Sequence, residues 1–255
     1  MSRPASGGVL TLAAIACAVY LVADVAHEGI GHGGMCAALG GHLNFVSTTY
    51  EDCSIRSHII DGAGPVTGIL VALIAWAWLR LAPPRGQGVR LFLALTFAFA
   101  MFWNVGYMIK SGLTDQGDWA FVIAGLQPAQ AWHIGLTVLG IVLYALTIRQ
   151  MEWLMTARLS SGDGLQPFSF TLIAYLSAAL LSAVGGAFDP RGPATIFTDA
   201  LPSSLAAAGL VWAGFSLQRR APGLRIAAPF SIVWLVAGLA SVALFVAVLG
   251  PGLRL

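Results

Sequence analysis

The sequence predicts an all-α fold, a polytopic membrane helical bundle of about seven transmembrane helices. Three observations carry that expectation. Of the 255 residues, 58% are hydrophobic and only 9% are charged, whereas soluble domains carry roughly a quarter charged residues. The mean hydropathy is +0.81. The apolar residues also come in blocks, several of them near the roughly 18 residues needed to cross about 30 Å of hydrocarbon.

Seven apolar segments follow one another: 9–25, 65–81, 89–109, 131–148, 168–188, 203–217 and 229–249. The first runs on through a polar motif and has no A-x-A-type cleavage site after it, so it is expected to be retained. The second opens on Gly62, Gly64, Pro65 and Gly68. Small residues let helices approach closely, and proline suits a first helical turn. The sixth is short. Gly/Pro-rich loops (APPRGQG, SSGDGLQP, DPRGP, RRAPG) separate the later segments. No soluble domain, long linker or repeat is visible, so residues 1–255 read as a single integral membrane domain.

Between the first two segments, GGHLNFVSTTYEDCSIRSHII alternates weakly through Val46, Thr48, Thr49 and Tyr50. It is expected to form a short hairpin or strand, an edge on which an extended peptide could pair. Cys36 and Cys53 flank this loop and could bridge if it faces an oxidising compartment. Cys17 lies mid-helix and reads as a small packing residue.

Charge placement orients the bundle. Cytoplasmic loops are enriched in Lys and Arg. Seven spans put Arg3, Arg80, Arg85, Arg90, Arg149, Arg158, Arg219, Arg220 and Arg225 on one side, against Arg56, Lys110, Arg191 and Arg254 on the other. Nine against four predicts a cytoplasmic N-terminus in a multi-pass membrane protein. The opposite side collects all five histidines and most of the acids, among them Glu51, Asp52, Asp61, Asp115, Asp118, Asp189 and Asp199. The net charge of +2 comes with no basic patch, which argues against a nucleic-acid partner. Membrane lipid is the partner the composition implies.

Asp24, His27, Glu28 and His32 fall within nine residues at the end of the first span. Each ionisable group in a span costs about 2.5–3.5 kcal/mol and is normally paired or functional. Zinc peptidases place two histidines at i and i+4 around a glutamate, H-E-x-x-H. Here the spacing is one residue longer, HEGIGH. On a regular helix residues i and i+5 diverge by about 140°, so His27 and His32 would not share an ion. A π-bulge restores their alignment, with Gly31 as the expected bulged residue in a run that also holds Gly29, Gly33 and Gly34. The alternative is a regular helix in which Glu28 and His32 face one another, with Asp24 one turn earlier. Catalytic zinc takes three protein ligands and an open position. Spans one and three run in the same direction, so a carboxylate after span three, Asp118 or alternatively Asp115 in NVGYMIKSGLTDQGDW, can converge with the histidines.

These motifs resemble, in order, those of the site-2 protease family of intramembrane zinc metalloproteases. HEGIGHGGMCAALGG is similar to that family's H-E-x-x-H helix, AGPVTG to its A-G-P stretch, and NVGYMIKSGLTDQGDW to its Asn-then-Asp region. The GDW ending is more like a divergent bacterial branch than the regulated-proteolysis members. The resemblance covers residues 9–126 and implies a three-helix metalloprotease-like core, with 127–255 as accessory transmembrane helices. It implies Zn2+ held by His27, His32 and Asp118, Glu28 as general base, and Asn104 helping to hold the substrate strand. It further implies a bacterial inner (plasma) membrane location and a transmembrane or membrane-proximal protein substrate, its peptide bond hydrolysed in or near the membrane.

Two other functions fit parts of the sequence. The irregular spacing suits a catalytically inactive relative, kept as a membrane scaffold or binding subunit. Several histidines on one face, including His133 at the start of the fourth span, suit a seven-span zinc lipid amidase, although no H-x-x-x-H spacing is present. His42 and His58 read as loop residues.

Overall fold

The computed structural model describes residues 6–255, and Arg3 of the charge count lies outside them. Among the described residues seven helices are long and apolar enough to cross a membrane. They are α1 (Gly7–Ala38), α2 (His58–Leu81), α3 (Gln87–Thr114) and, after a short α4 (Asp118–Ile123), α5 (Ala129–Leu159), α6 (Pro167–Ala187), α7 (Ile196–Arg220) and α8 (Ile232–Leu249). Each long helix overlaps one predicted segment.

The boundaries differ where polar residues mask a helix. α2 begins at His58, because Ser57 caps it by accepting a hydrogen bond from the Ile59 amide at 3.2 Å. His58 is therefore a helix residue, and Pro65 sits inside α2 rather than in its first turn. α5 continues to Leu159, past the predicted end at 148. Its extension is held by polar-zone contacts that hydropathy does not detect: Glu152 pairs with Arg220, and Arg80 and Arg158 stack on Trp153.

α3 is the hub. Of its most apolar window 78% is enclosed by protein, against 17% for α5, which stands at the periphery. The difference follows from the side chains: α3 carries Phe97, Phe99, Phe102 and Trp103 together with Ala94, Ala98 and Ala100, all buried. Large rings filling gaps left by alanines give close packing on every face. Trp103 stacks on Tyr20 of α1 at a centroid distance of 6.0 Å, and Tyr20 also meets Phe245 of α8 edge-on. Small residues set the other close approaches. A Cβ on Gly31 of α1 would lie 2.5 Å from the Cα of Gly64 in α2, so these two backbones touch.

The predicted hairpin forms over the end of α1. β1 (Leu43–Val46) pairs antiparallel with β2 (Glu51–Cys53), in the register Val46 to Glu51 and Phe45 to Asp52. β3 (Ser160–Ser161) and β4 (Arg225–Ile226) make a separate two-residue pairing. β5 (Leu253–Arg254) adds to the far side of β1, giving the order β2-β1-β5 and leaving β2 as an edge. A Cys36–Cys53 disulfide ties the last turn of α1 to β2.

Candidate metal centre

Nine residues of α1, Val25–Gly33, form a π-helical turn. This wider winding absorbs the extra residue of HEGIGH. His27 and His32 come to the same side, ring centroids 4.9 Å apart, with their Nε2 atoms 3.2 Å from one another. The extra residue is spread over the whole turn and is not localised at Gly31. What Gly31 supplies is the close crossing with Gly64.

The third group arrives from α4. Gly117 has φ +92°, a conformation that side-chain-bearing residues rarely adopt, and it turns the chain so that Asp118 opens α4. Asp118 Oδ2 then lies 3.0 Å from His27 Nε2 and 3.8 Å from His32 Nε2. Trp119 fastens this corner by donating its indole N–H to the carbonyl of Asn104 at 3.2 Å. Asp115, the alternative third ligand, is placed elsewhere. It caps α3 in a left-handed conformation, its side chain is 77% exposed, and it faces His133 at 3.7 Å. His133 is thus not part of the cluster formed by His27, His32 and Asp118.

Tautomers follow from the hydrogen bonds behind the rings. His32 Nδ1 lies 2.7 Å from the carbonyl of Ile60, which can only accept, so Nδ1 carries the proton. Asn104 Nδ2 donates to the Ala100 carbonyl at 2.6 Å, which leaves Oδ1 to accept from His27 Nδ1 at 3.0 Å. With Nδ1 turned to these acceptors, the Nε2 atoms of both rings face the same point, where a carboxylate oxygen of Asp118 also arrives. For one ring to donate to the other it would have to carry both protons and a positive charge. These three ligand atoms lie within 3.8 Å of one another, close enough to hold one cation.

The surroundings hold these donors in place. Trp103 stacks flat on His27, with a centroid distance of 4.9 Å and planes 11° apart. A Cβ on Gly64 would sit 2.1 Å from His32 Nε2, and one on Gly68 would sit 2.1 Å from Asn104 Nδ2. The glycines that open α2 thus make room for the His32 ring and for the Asn104 amide behind His27. The carbonyl of Ile60, in the first turn of α2, faces His32 Nδ1. Asn104, expected to hold a substrate strand, is 1% exposed and stands behind His27. Its amide oxygen meets His27 Nδ1 at 3.0 Å.

Glu28 is buried beside the three donors, with Oε1 4.0 Å from His27 Nε2. Burial by itself would raise the Asp118 carboxyl, but hydrogen bonds from His27 and His32 outweigh it and hold the group well below the usual carboxylate range. Glu51 is shifted the other way. Burial raises it, and Glu28 and Asp118 add to this against the pull of His32, so that it is pushed up to about 7. Asp24, one turn before Glu28, is 1% exposed and its Oδ1 has no hydrogen-bond partner.

These groups form the floor of a cavity of about 570 Å³, with the hairpin from Thr48 to Cys53 as one wall. The opposite rim carries Arg191, which sequence reasoning counted only as a loop charge. Its guanidinium binds Asp189 at 3.0 Å and Asp199 at 3.3 Å and stacks on Tyr50, while Asp189 accepts from the Thr49 hydroxyl at 2.6 Å. The cluster joins the hairpin to the α6–α7 loop across 140 residues. No pattern of local spacing announces such a contact. Comparison of the chain with family models, with curated proteins and with solved structures finds no match.

Proposed function

We propose that this chain is a membrane-embedded zinc metallopeptidase, similar in its core of α1, α2 and α3 to the site-2 protease family. It would hydrolyse a peptide bond in or beside the bilayer. One observation carries the reading: two imidazole Nε2 atoms and a carboxylate oxygen converge on one point. Two ring nitrogens and one oxygen are a donor set suited to catalytic zinc, and the cavity leaves room for a fourth, open position.

His27, His32 and Asp118 would hold the ion. Zinc supplies Lewis-acid polarisation of the scissile carbonyl and lowers the pKa of a bound water towards neutrality. Glu28 takes the proton of the attacking water on its carboxylate and passes it to the leaving amine. Asn104 and the Ile60 carbonyl keep both rings in the ligating tautomer, as outer partners of metal-bound histidines do. The edge strand β2 offers backbone donors and acceptors to an extended substrate segment at the cavity wall.

The spacing argument for a silent scaffold loses its force, because the π turn aligns the longer motif. Nor does the histidine distribution favour a lipid amidase, since His133 pairs with Asp115 away from the centre. On sidedness, the arginine distribution assigns a cytoplasmic N-terminus and a site on the opposite face. A disulfide beside the site fits an oxidising compartment. Reporter fusions at Gly86 and Gly223 should both read cytoplasmic.

The decisive test is cleavage of peptides with an extended membrane-proximal segment, by the wild type and by Glu28→Gln in proteoliposomes. The reading requires zinc-dependent cleavage that Glu28→Gln abolishes while metal remains bound. Equal cleavage by both would refute the role of Glu28. No cleavage of any such peptide by a zinc-loaded protein would favour the scaffold.

A further inference from the structure

Four side chains with potential ligand atoms, not two, gather around His32. Besides His27, His32 and Asp118, a second group of Glu28, His32 and Glu51 places its ligand atoms within 4.8 Å of one another. Both groups use His32, whose Nδ1 is committed to the Ile60 carbonyl, so only one lone pair is free. One lone pair binds one ion. The two groups therefore compete for the same lone pair: His27 and Asp118 in one, Glu28 and Glu51 in the other.

Glu28 and Glu51 are not equivalent. Glu28 is fixed on the π turn among the ligands, whereas Glu51 stands on β2, the edge strand of the cavity wall, and is only half-buried. Its strand is anchored at both ends. Cys53, two residues on, is bonded to Cys36 at the end of α1, and Thr49, two residues back, is bonded to Asp189. The backbone of Glu51 is thereby held over the metal position, and its side chain has three rotatable bonds with which to close the remaining distance.

Resting on the zinc reading above, we propose that Glu51 is a fourth protein ligand, a displaceable carboxylate that fills the open metal position until substrate arrives. The same strand that holds Glu51 would receive the substrate segment. Pairing along β2 and removal of Glu51 from the ion then become one event, and water enters only when a peptide is in place. Such coupling suits a hydrolase whose site lies in a cavity of about 570 Å³ with room for solvent.

Cobalt(II) tests this without any assay of activity, because its visible absorption reports ligand number and type. The full-length protein would be loaded with cobalt as wild type, Glu51→Gln, Asp52→Asn and His32→Ala. Glu51→Gln keeps the size of the side chain on an edge strand, so it is expected to fold and to form the disulfide, which mass analysis checks. Removing partners of metal ligands costs about 10–100-fold in affinity. Loss of a ligand should therefore weaken cobalt binding at least about tenfold and change the spectrum, while Asp52→Asn behaves as wild type. If Glu51→Gln matches wild type in both affinity and spectrum while His32→Ala loses the metal, the proposal is overturned and the three-ligand centre stands. If wild type itself binds no cobalt, both fail together.

Discussion

Deleting Ile30 and deleting Gly31 give the same nominal motif, H-E-x-x-H, yet the structure predicts opposite outcomes. Either deletion removes the extra residue and lets the π turn relax to a regular helix with the histidines at i and i+4. With the flanks of α1 held by packing, the residue before His32 falls where Gly31 now lies. Loss of Ile30 leaves glycine there, whereas loss of Gly31 puts isoleucine there. A Cβ alone at that point would be 2.5 Å from Gly64 Cα and 2.8 Å from the Ala63 carbonyl oxygen. Both are backbone atoms, so α1 and α2 would have to part, and the His32–Ile60 hydrogen bond lies in the same seam. Overpacking of this kind costs about 1–3 kcal/mol, and each kcal/mol moves the midpoint of a domain this large by about 2–4 °C. The Gly31 deletion should therefore melt about 2–12 °C below wild type and bind zinc poorly. Ile30 is 62% exposed, so its removal should cost at most about 1 kcal/mol and leave zinc in place. Thermal unfolding in detergent, with zinc content by mass spectrometry, separates the two. A stable, zinc-bound Gly31 deletion, or an Ile30 deletion without metal, would refute the geometry.

Two further outcomes follow from the layers around the site. Asn104→Leu keeps the volume behind His27 but removes the acceptor for its Nδ1 proton, and should weaken zinc binding about 10–100-fold while the helices persist by circular dichroism; unchanged affinity would show that the tautomer is set elsewhere. Asp189 lies outside the spans, and although burial alone would raise it, the hydrogen bonds from Arg191 and Thr49 hold it below its ordinary value. A lowered folded pKa gives stability that is full above the unfolded value of about 3.9 and is lost as pH falls through the folded one. The gap in melting temperature between wild type and Asp189→Asn should accordingly narrow from pH 6 to pH 3, and a gap that stays constant would remove the ion pair from the account.

What could be read in the sequence was what depends on length and local pattern. Seven apolar runs, the hairpin with its edge and the polar end of α1 all follow from composition and short-range order. The start of α2 was hidden because 58–64 mixes His, Asp and Gly, residues that hydropathy counts against a span. The choice between Asp115 and Asp118 needed the turn at Gly117, since both are acids after the same helix. Asn104 illustrates the harder case. Its presence near the site was legible from motif order, but its side chain turns towards His27, 77 residues away. The carbonyl of Ile60, the flat face of Trp103 and the Asp189–Arg191 cluster are likewise contacts between distant segments. Packing creates them, and no spacing rule encodes them.

Zinc content of the purified protein tests the central claim most directly. The convergence of His27, His32 and Asp118 predicts one zinc per chain in wild type and in Glu28→Gln, and essentially none in His32→Ala or Asp118→Ala. A wild type that holds no zinc after purification without chelators, or a His32→Ala variant that keeps its full complement, would contradict it.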